Sequence, residues 1–160
     1  MGEPSWHDGL NGRAMLCDTM GCTTTQQRSF RLSTETLGLL DREADRVGES
    51  RNSLADRLLG EALRLERHPL VRFQRGASGR RQPLLVGTRL YVHQVVETVK
   101  ASHGSVDEAA LYLGVPARLV RAALDYYGDF PDEIDADAEA ARRAEDYERG
   151  RSERRQRALG

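Results

Sequence analysis

The sequence predicts a mainly α protein with a short β-ribbon: a strand and two helices first, then a small helix-turn-helix-like domain, then a helical tail. Three observations carry this prediction. Residues 27–32 alternate, with Gln27, Ser29 and Arg31 on one side and Phe30 and Leu32 on the other, the period of a half-buried strand. Two pairs of amphipathic helical stretches follow, each pair divided by a glycine, Gly48 in the first and Gly114 in the second. Residues 132–159 are dense in Ala, Glu and Arg and carry few large apolar groups.

The strand leads directly into its helices, in the run QQRSFRLSTETLGLLDREADRVGESRNSLADRLLGEALRLER (residues 26–67). Ser33 or Thr34 suits the first N-cap, and Glu35 places negative charge in the first turn, where the helix dipole favours it. Leu37, Leu40, Ala44 and Val47 form one apolar stripe, and Gly48 suits a left-handed cap. Ser50 opens the second helix, whose apolar side is Leu54, Leu58, Ala62 and Leu65, flanked by Leu59 and Leu63. About 40 residues cannot bury both stripes, and a lone strand has no ladder partner. A second copy of the chain solves both problems at once, as a two-fold dimer built on a two-stranded ribbon. Such a ribbon fits the major groove of DNA. Arg51 sits at the positive end of the second helix, an unfavourable place for a cation unless an anion docks on the neighbouring amides.

These residues resemble the ribbon-helix-helix family of CopG- and Arc-like repressors, over SFRLSTETLGLLDREADRVGESRNSLADRLL. The resemblance implies that Gln27, Ser29 and Arg31 read bases and that Ser50, Arg51, Asn52 and Ser53 clamp a DNA phosphate. Arg31 can engage guanine with both arms of its fork. Arg28 departs from the family, standing at an inward position that is usually apolar.

After His68-Pro69 the character changes. Gly76, Gly79, Pro83 and Gly87 break residues 72–91 into short apolar runs, 83–86 and 90–92, read as a small hairpin or a pair of short strands. Val92, Val95, Val96 and Val99 mark a helix that ends before Gly104. Ser105 and Glu108 have capping-box spacing ahead of a helix bearing Ala109, Ala110 and Leu113. Pro116 begins another helix, with Leu119, Ala122, Ala123 and Tyr126 inward and Arg118 and Arg121 exposed near its front. This helix-turn-helix pattern makes Arg118 and Arg121 a candidate second DNA surface; the same fold also serves protein contact. Residues 80–135, through PLLVGTRLYVHQVV and GSVDEAALYLGVPARLVRAALDYYGDFPDEID, resemble the domain-of-unknown-function 433 family. Gly87-Thr88-Arg89 and Tyr126-Tyr127 carry the match, and His103 falls in a loop. The resemblance implies an antitoxin-like module, opposite PIN-like ribonuclease toxins as in antitoxins of the VapB type, with no catalytic site.

The tail is the candidate toxin-binding element, through Tyr147, Arg149, Arg151, Arg154, Arg155 and Arg157. A PIN-like nuclease holds magnesium with clustered carboxylates, which one of these arginines would enter. The domain organisation expected is a disordered leader (1–25), the ribbon-helix-helix module (26–67), the hairpin with the helix-turn-helix-like domain (68–131) and the charged helical tail (132–160).

Net charge is −1, yet charge is segregated: residues 68–104 hold six basic residues against Glu97 alone, and residues 129–148 hold nine acidic residues against Arg142 and Arg143. Lys100 is the single lysine. Cys17 and Cys22 lie in the leader, where a zinc site would need two more ligands and only His7 is near, so free thiols and no metal are expected. Met15 and Met20 are alternative starts. There is no signal-peptide pattern and no apolar run of spanning length, and a cytoplasmic location is expected. No nucleophile–base pair or phosphate-cradling loop stands out, so neither catalysis nor a cofactor is expected. The functional expectation is a type II antitoxin that binds a palindromic operator as a homodimer and neutralises a PIN-like ribonuclease. A stand-alone transcription regulator and an adaptor that binds only protein are the alternatives.

Overall fold

Two serines set the beginnings of the first two helices. Ser33 Oγ accepts from Thr36 N at 3.1 Å and opens α1 (Thr34–Val47), while Ser50 Oγ accepts from Ser53 N at 3.2 Å and opens α2 (Arg51–Arg67). Between them Gly48 takes the left-handed conformation, φ +70°, and its amide bonds to Ala44 O. Only glycine adopts that backbone without strain. The computed structural model describes residues 29–76 and 79–159; the expected leader, Gln27 and Arg28 lie outside them. Ala44 and Leu54 are the buried residues of α1 and α2, so this helix pair closes on a very small contact.

The chain then forms an antiparallel hairpin, β1 (Val71–Arg75) and β2 (Arg81–Leu85), with Phe73 opposite Pro83 and Arg75 opposite Arg81. This corrects the expected pairing of the two apolar runs. The 83–86 run pairs upstream, because Gly76 and Gly79 form the turn and Gly76 N bonds back to Arg80 O at 2.7 Å. The run 90–92 contributes one isolated bridge, Leu84 to Tyr91, before helix geometry takes over. At that corner Thr88 Oγ1 donates to Leu85 O and accepts from Leu90 N, while Gly87 has φ +77°.

Helix α3 (Val92–Ala101), α4 (Val106–Leu113) and α5 (Ala117–Asp129) pack around Val92, Val95, Val96, Ala109, Leu119, Val120, Ala123 and Tyr126. Ser105 Oγ caps α4 through Glu108 N at 3.2 Å, and Gly114 ends it at φ +65°. Val120 is buried and Ala122 half-buried, a rotation of the expected inward face by a fraction of a turn.

The last helix, α6 (Pro131–Leu159), runs unbroken across the expected start of the tail. Its beginning belongs to the core: Ile134, Asp137 and Ala138 are buried, and Arg142 bonds Glu97 of α3 at 2.6 Å. Beyond Ala141 the exposed side chains are interrupted only at Gly150. The segment from Arg143 to Leu159 therefore projects roughly 25 Å as a single helix, at about 1.5 Å per residue. No helix among the described residues is long and apolar enough to cross a membrane.

Candidate nucleic-acid interface

An extended segment needs a neighbour to become a strand, and residues 29–33 have none among the described residues. They lie outside regular structure, which departs from the expected strand for the physical reason that made it need a partner. Ser29 and Arg31 are exposed, as are Phe30 (73%) and Leu32 on the alternate side. Apolar exposure continues across the helix pair, with Leu37, Leu58 (42%), Leu59 and Leu63 (60%) exposed, and Leu39 exposed on the other side of α1. Leu40, Val47 and Leu65 are half-buried, and Ala62 is exposed.

Next to this face lies the amino-terminal end of α2. Ser50, Arg51, Asn52 and Ser53 are all exposed there. The cap uses Ser53 N, and Leu54 N bonds to Ser50 O, so the first-turn amides of Arg51 and Asn52 have no partner among the described residues. The first turn of α2 carries no acidic side chain, in contrast to α1, α4 and α6. Arg51 is engaged by a residue that no local spacing would select: Asp41 of α1 receives its Nε at 2.7 Å. Both groups are well exposed, so the pair is weak and a phosphate can displace the carboxylate.

The second candidate surface lies on α5. Arg118 and Arg121 are exposed on the first two turns of α5, with no carboxylate in ion-pair range among the described residues. The tail candidates differ among themselves. Tyr147 is exposed; Arg149 and Arg151 sit 3.6 Å and 3.7 Å from Asp146 and Glu148, whereas Arg154, Arg155 and Arg157 have no such carboxylate among the described residues.

A junction without any signature in the sequence ties α2 to the second module. Arg64 donates to Glu133 Oε2 at 2.7 Å and lies 4.9 Å over the Phe130 ring, while the Tyr126 hydroxyl donates to Glu133 Oε1 at 3.4 Å. Burial pushes Glu133 above the usual carboxylate range and Tyr126 above the usual phenol range, although Arg64 pulls both back. His68 packs edge-on against Tyr126 and meets Asp129 at 2.9 Å. Arg81 makes a two-armed contact with Glu61, at 2.6 and 2.8 Å, that joins the hairpin to α2 and raises the guanidinium pKa. Apart from Tyr126 and Glu133, which are seven residues apart, these partners lie twenty to nearly seventy residues apart, too far for any periodicity to reveal.

His93 is the other polar group that the sequence did not single out. It is buried, stacked on Tyr91 with ring centroids 5.7 Å apart, and desolvation lowers its pKa despite nearby Asp137, Glu97 and Glu145. Among the described residues no group of His, Cys, Asp or Glu has a metal-binding arrangement. Comparison of the chain with family models, curated proteins and solved structures returns no match.

Proposed function

We propose that the chain is a type II antitoxin that represses its own promoter as a homodimer and neutralises a PIN-like ribonuclease through its last helix. The observation that carries the repressor half is the segment 29–33, without a strand partner among the described residues, in front of an open apolar helix face. A second copy would supply both the missing strand and the missing cover. Ser29 and Arg31, with Gln27 before them, would then point into the major groove of a palindromic operator. The Ser50–Ser53 turn would hold a backbone phosphate through its two open amides and Arg51.

The projecting half of α6 supports the inhibitory half of the proposal. It offers a solvated helix bearing Tyr147 and several uncommitted arginines, the chemistry that an acidic magnesium site would accept. Co-expression with the neighbouring reading frame, followed by pull-down and a gel shift on the upstream DNA, tests both halves. A nuclease that co-purifies and a retarded promoter are the expected outcome; absence of any partner removes the antitoxin reading. Deleting residues 149–160 should restore nuclease activity in the purified mixture, and unchanged inhibition would place the inhibitory contact elsewhere.

Exposed Arg118 and Arg121 favour one second reading, a stand-alone regulator whose helix-turn-helix also touches DNA. A promoter shift without any nuclease partner, weakened by charge removal at both positions, would select it.

A further inference from the structure

We propose that the tip of the β1–β2 hairpin is a second docking surface for the phosphate backbone of duplex DNA, continuous with the amino-terminal end of α2. It deepens the operator-binding reading and rests on it for the identity of the specific site.

The composition of the region is one-sided. No Asp or Glu occurs between Glu66 and Glu97, and the hairpin carries Arg72, Arg75, Arg80 and Arg81. Arg81 is anchored, held by Glu61 and by Phe73 O at 3.0 Å. Arg72, Arg75 and Arg80 are exposed and have neither a carboxylate in ion-pair range nor a side-chain hydrogen bond among the described residues. Four guanidinium groups on one short hairpin repel one another, and an external anion relieves that repulsion.

Placement points the same way. A groove of about 530 Å³ is lined by Glu49, Asp56 and Arg57 from the α2 side and by Arg75, Gly79 and Arg80 from the hairpin. Arg75 and Arg81 also share a cavity with Arg46 and Val47, at the end of α1. The hairpin tip thus lies beside the α1–α2 turn, at the end of the molecule where the amides of Arg51 and Asn52 are open. On the acidic side of the groove, which also holds Glu61 and Glu133, Arg57 reaches Glu49 at 3.1 Å and Glu61 at 3.6 Å and Arg64 reaches Glu133 at 2.7 Å, while Asp56 has no cation in ion-pair range among the described residues. At the tip Arg75 and Arg80 are exposed, Arg72 and Gln74 are exposed on the opposite face of β1, and none of the four is an apolar anchor. Protein partners are held mainly by buried aromatic and aliphatic anchors, whereas a phosphate backbone is held by charge and counterion release. The surface fits the second.

The test compares the full chain with the triple variant R72Q/R75Q/R80Q, by fluorescence anisotropy over a salt series, on its own upstream duplex and on an unrelated duplex of equal length. Circular dichroism checks that the variant keeps its helices. Affinity for both duplexes should fall about tenfold or more. The log–log salt slope should flatten by about 2–3, since each phosphate left without its arginine removes about 0.9 from it. Preference for the upstream duplex should persist. An unchanged slope and affinity in the variant would overturn the proposal. Competition by polyglutamate as strong as by duplex DNA at equal charge would overturn its assignment to DNA. Arg31→Ala serves as the reference, since it should reduce preference about 5- to 150-fold while keeping the slope. If the wild-type chain binds both duplexes equally, the operator reading fails while the triple variant still decides the hairpin.

Discussion

The two halves of the chain bury apolar residues very differently. In the second module Tyr126, Val92, Val95, Ala109, Val120 and Ala123 are fully buried. In the helix pair α1–α2, with 12 apolar residues in 31 against 19 in 31 for α3–α5, Leu54 is fully buried, Ala44 nearly so, and five leucines stay exposed. Apolar residues at helical spacing thus give a finished core in one place and an open face in the other, where they are fewer. The difference is the number of layers. The second module folds three helices and the start of α6 around one centre, whereas α1 and α2 have each other and little else. If the proposed second copy completes this core, its stability will depend on concentration.

Substitutions separate the halves. Tyr126→Ala, which empties the centre of the second module, should have the largest effect, about 3–5 kcal/mol in denaturant unfolding, independent of protein concentration. Leu58→Ala gives the sharper test of the contrast. If a second copy covers α2 the loss should be about 2 kcal/mol or more, and should grow on dilution; for a leucine open to water it would stay within about 0.5 kcal/mol. A small loss that ignores concentration would break the comparison. Functional substitutions come next: Arg31→Ala should cost about 1–3 kcal/mol of discrimination between operator and unrelated DNA, while Arg51→Ala should weaken both equally and flatten the salt dependence. A loss of discrimination with Arg51→Ala would reassign it to base reading.

The smallest effect is a pH dependence confined to the second module. His93 has its folded pKa held below its ordinary value of 6.5 by burial, so the unfolded chain takes up its proton first. Its contribution is therefore fully present above pH 6.5 and is lost as the pH falls below that value. Thermal unfolding between pH 7.5 and 5.5 should show a decline in wild type that His93→Gln reduces; equal slopes would assign the decline to other groups. Glu133 acts in the opposite sense at lower pH, since its pKa is raised above 4.5.

What the sequence made legible was local. Caps at Ser33, Ser50 and Ser105, left-handed glycines at 48 and 114, and the valine stripe of α3 all follow from chemistry within a few residues, and each stands where the spacing put it. What escaped was long-range. Val71–Arg75 as the partner of the 81–85 strand required knowing which apolar run folds back. The Arg64–Glu133–Tyr126 junction joins residues from three predicted segments, and Asp41 meets Arg51 across a turn. Candidate site residues were legible as types in a pattern, exposed as that pattern requires at Ser29, Arg31 and the α2 end. The free arginines of the hairpin were visible only as a charge imbalance until the fold placed them beside that end.

Helix α6 is one element in its backbone and two in durability. Up to Arg142 its amides are locked behind Ile134, Ala138 and the contact with Glu97, so they exchange with solvent only when the whole module opens. Past that point nothing but the helix's own ladder protects them, and the end frays freely. Hydrogen exchange along this helix should therefore fall off in a step just beyond Arg142. Any molecule that grips the exposed end would announce itself by moving that step toward Leu159.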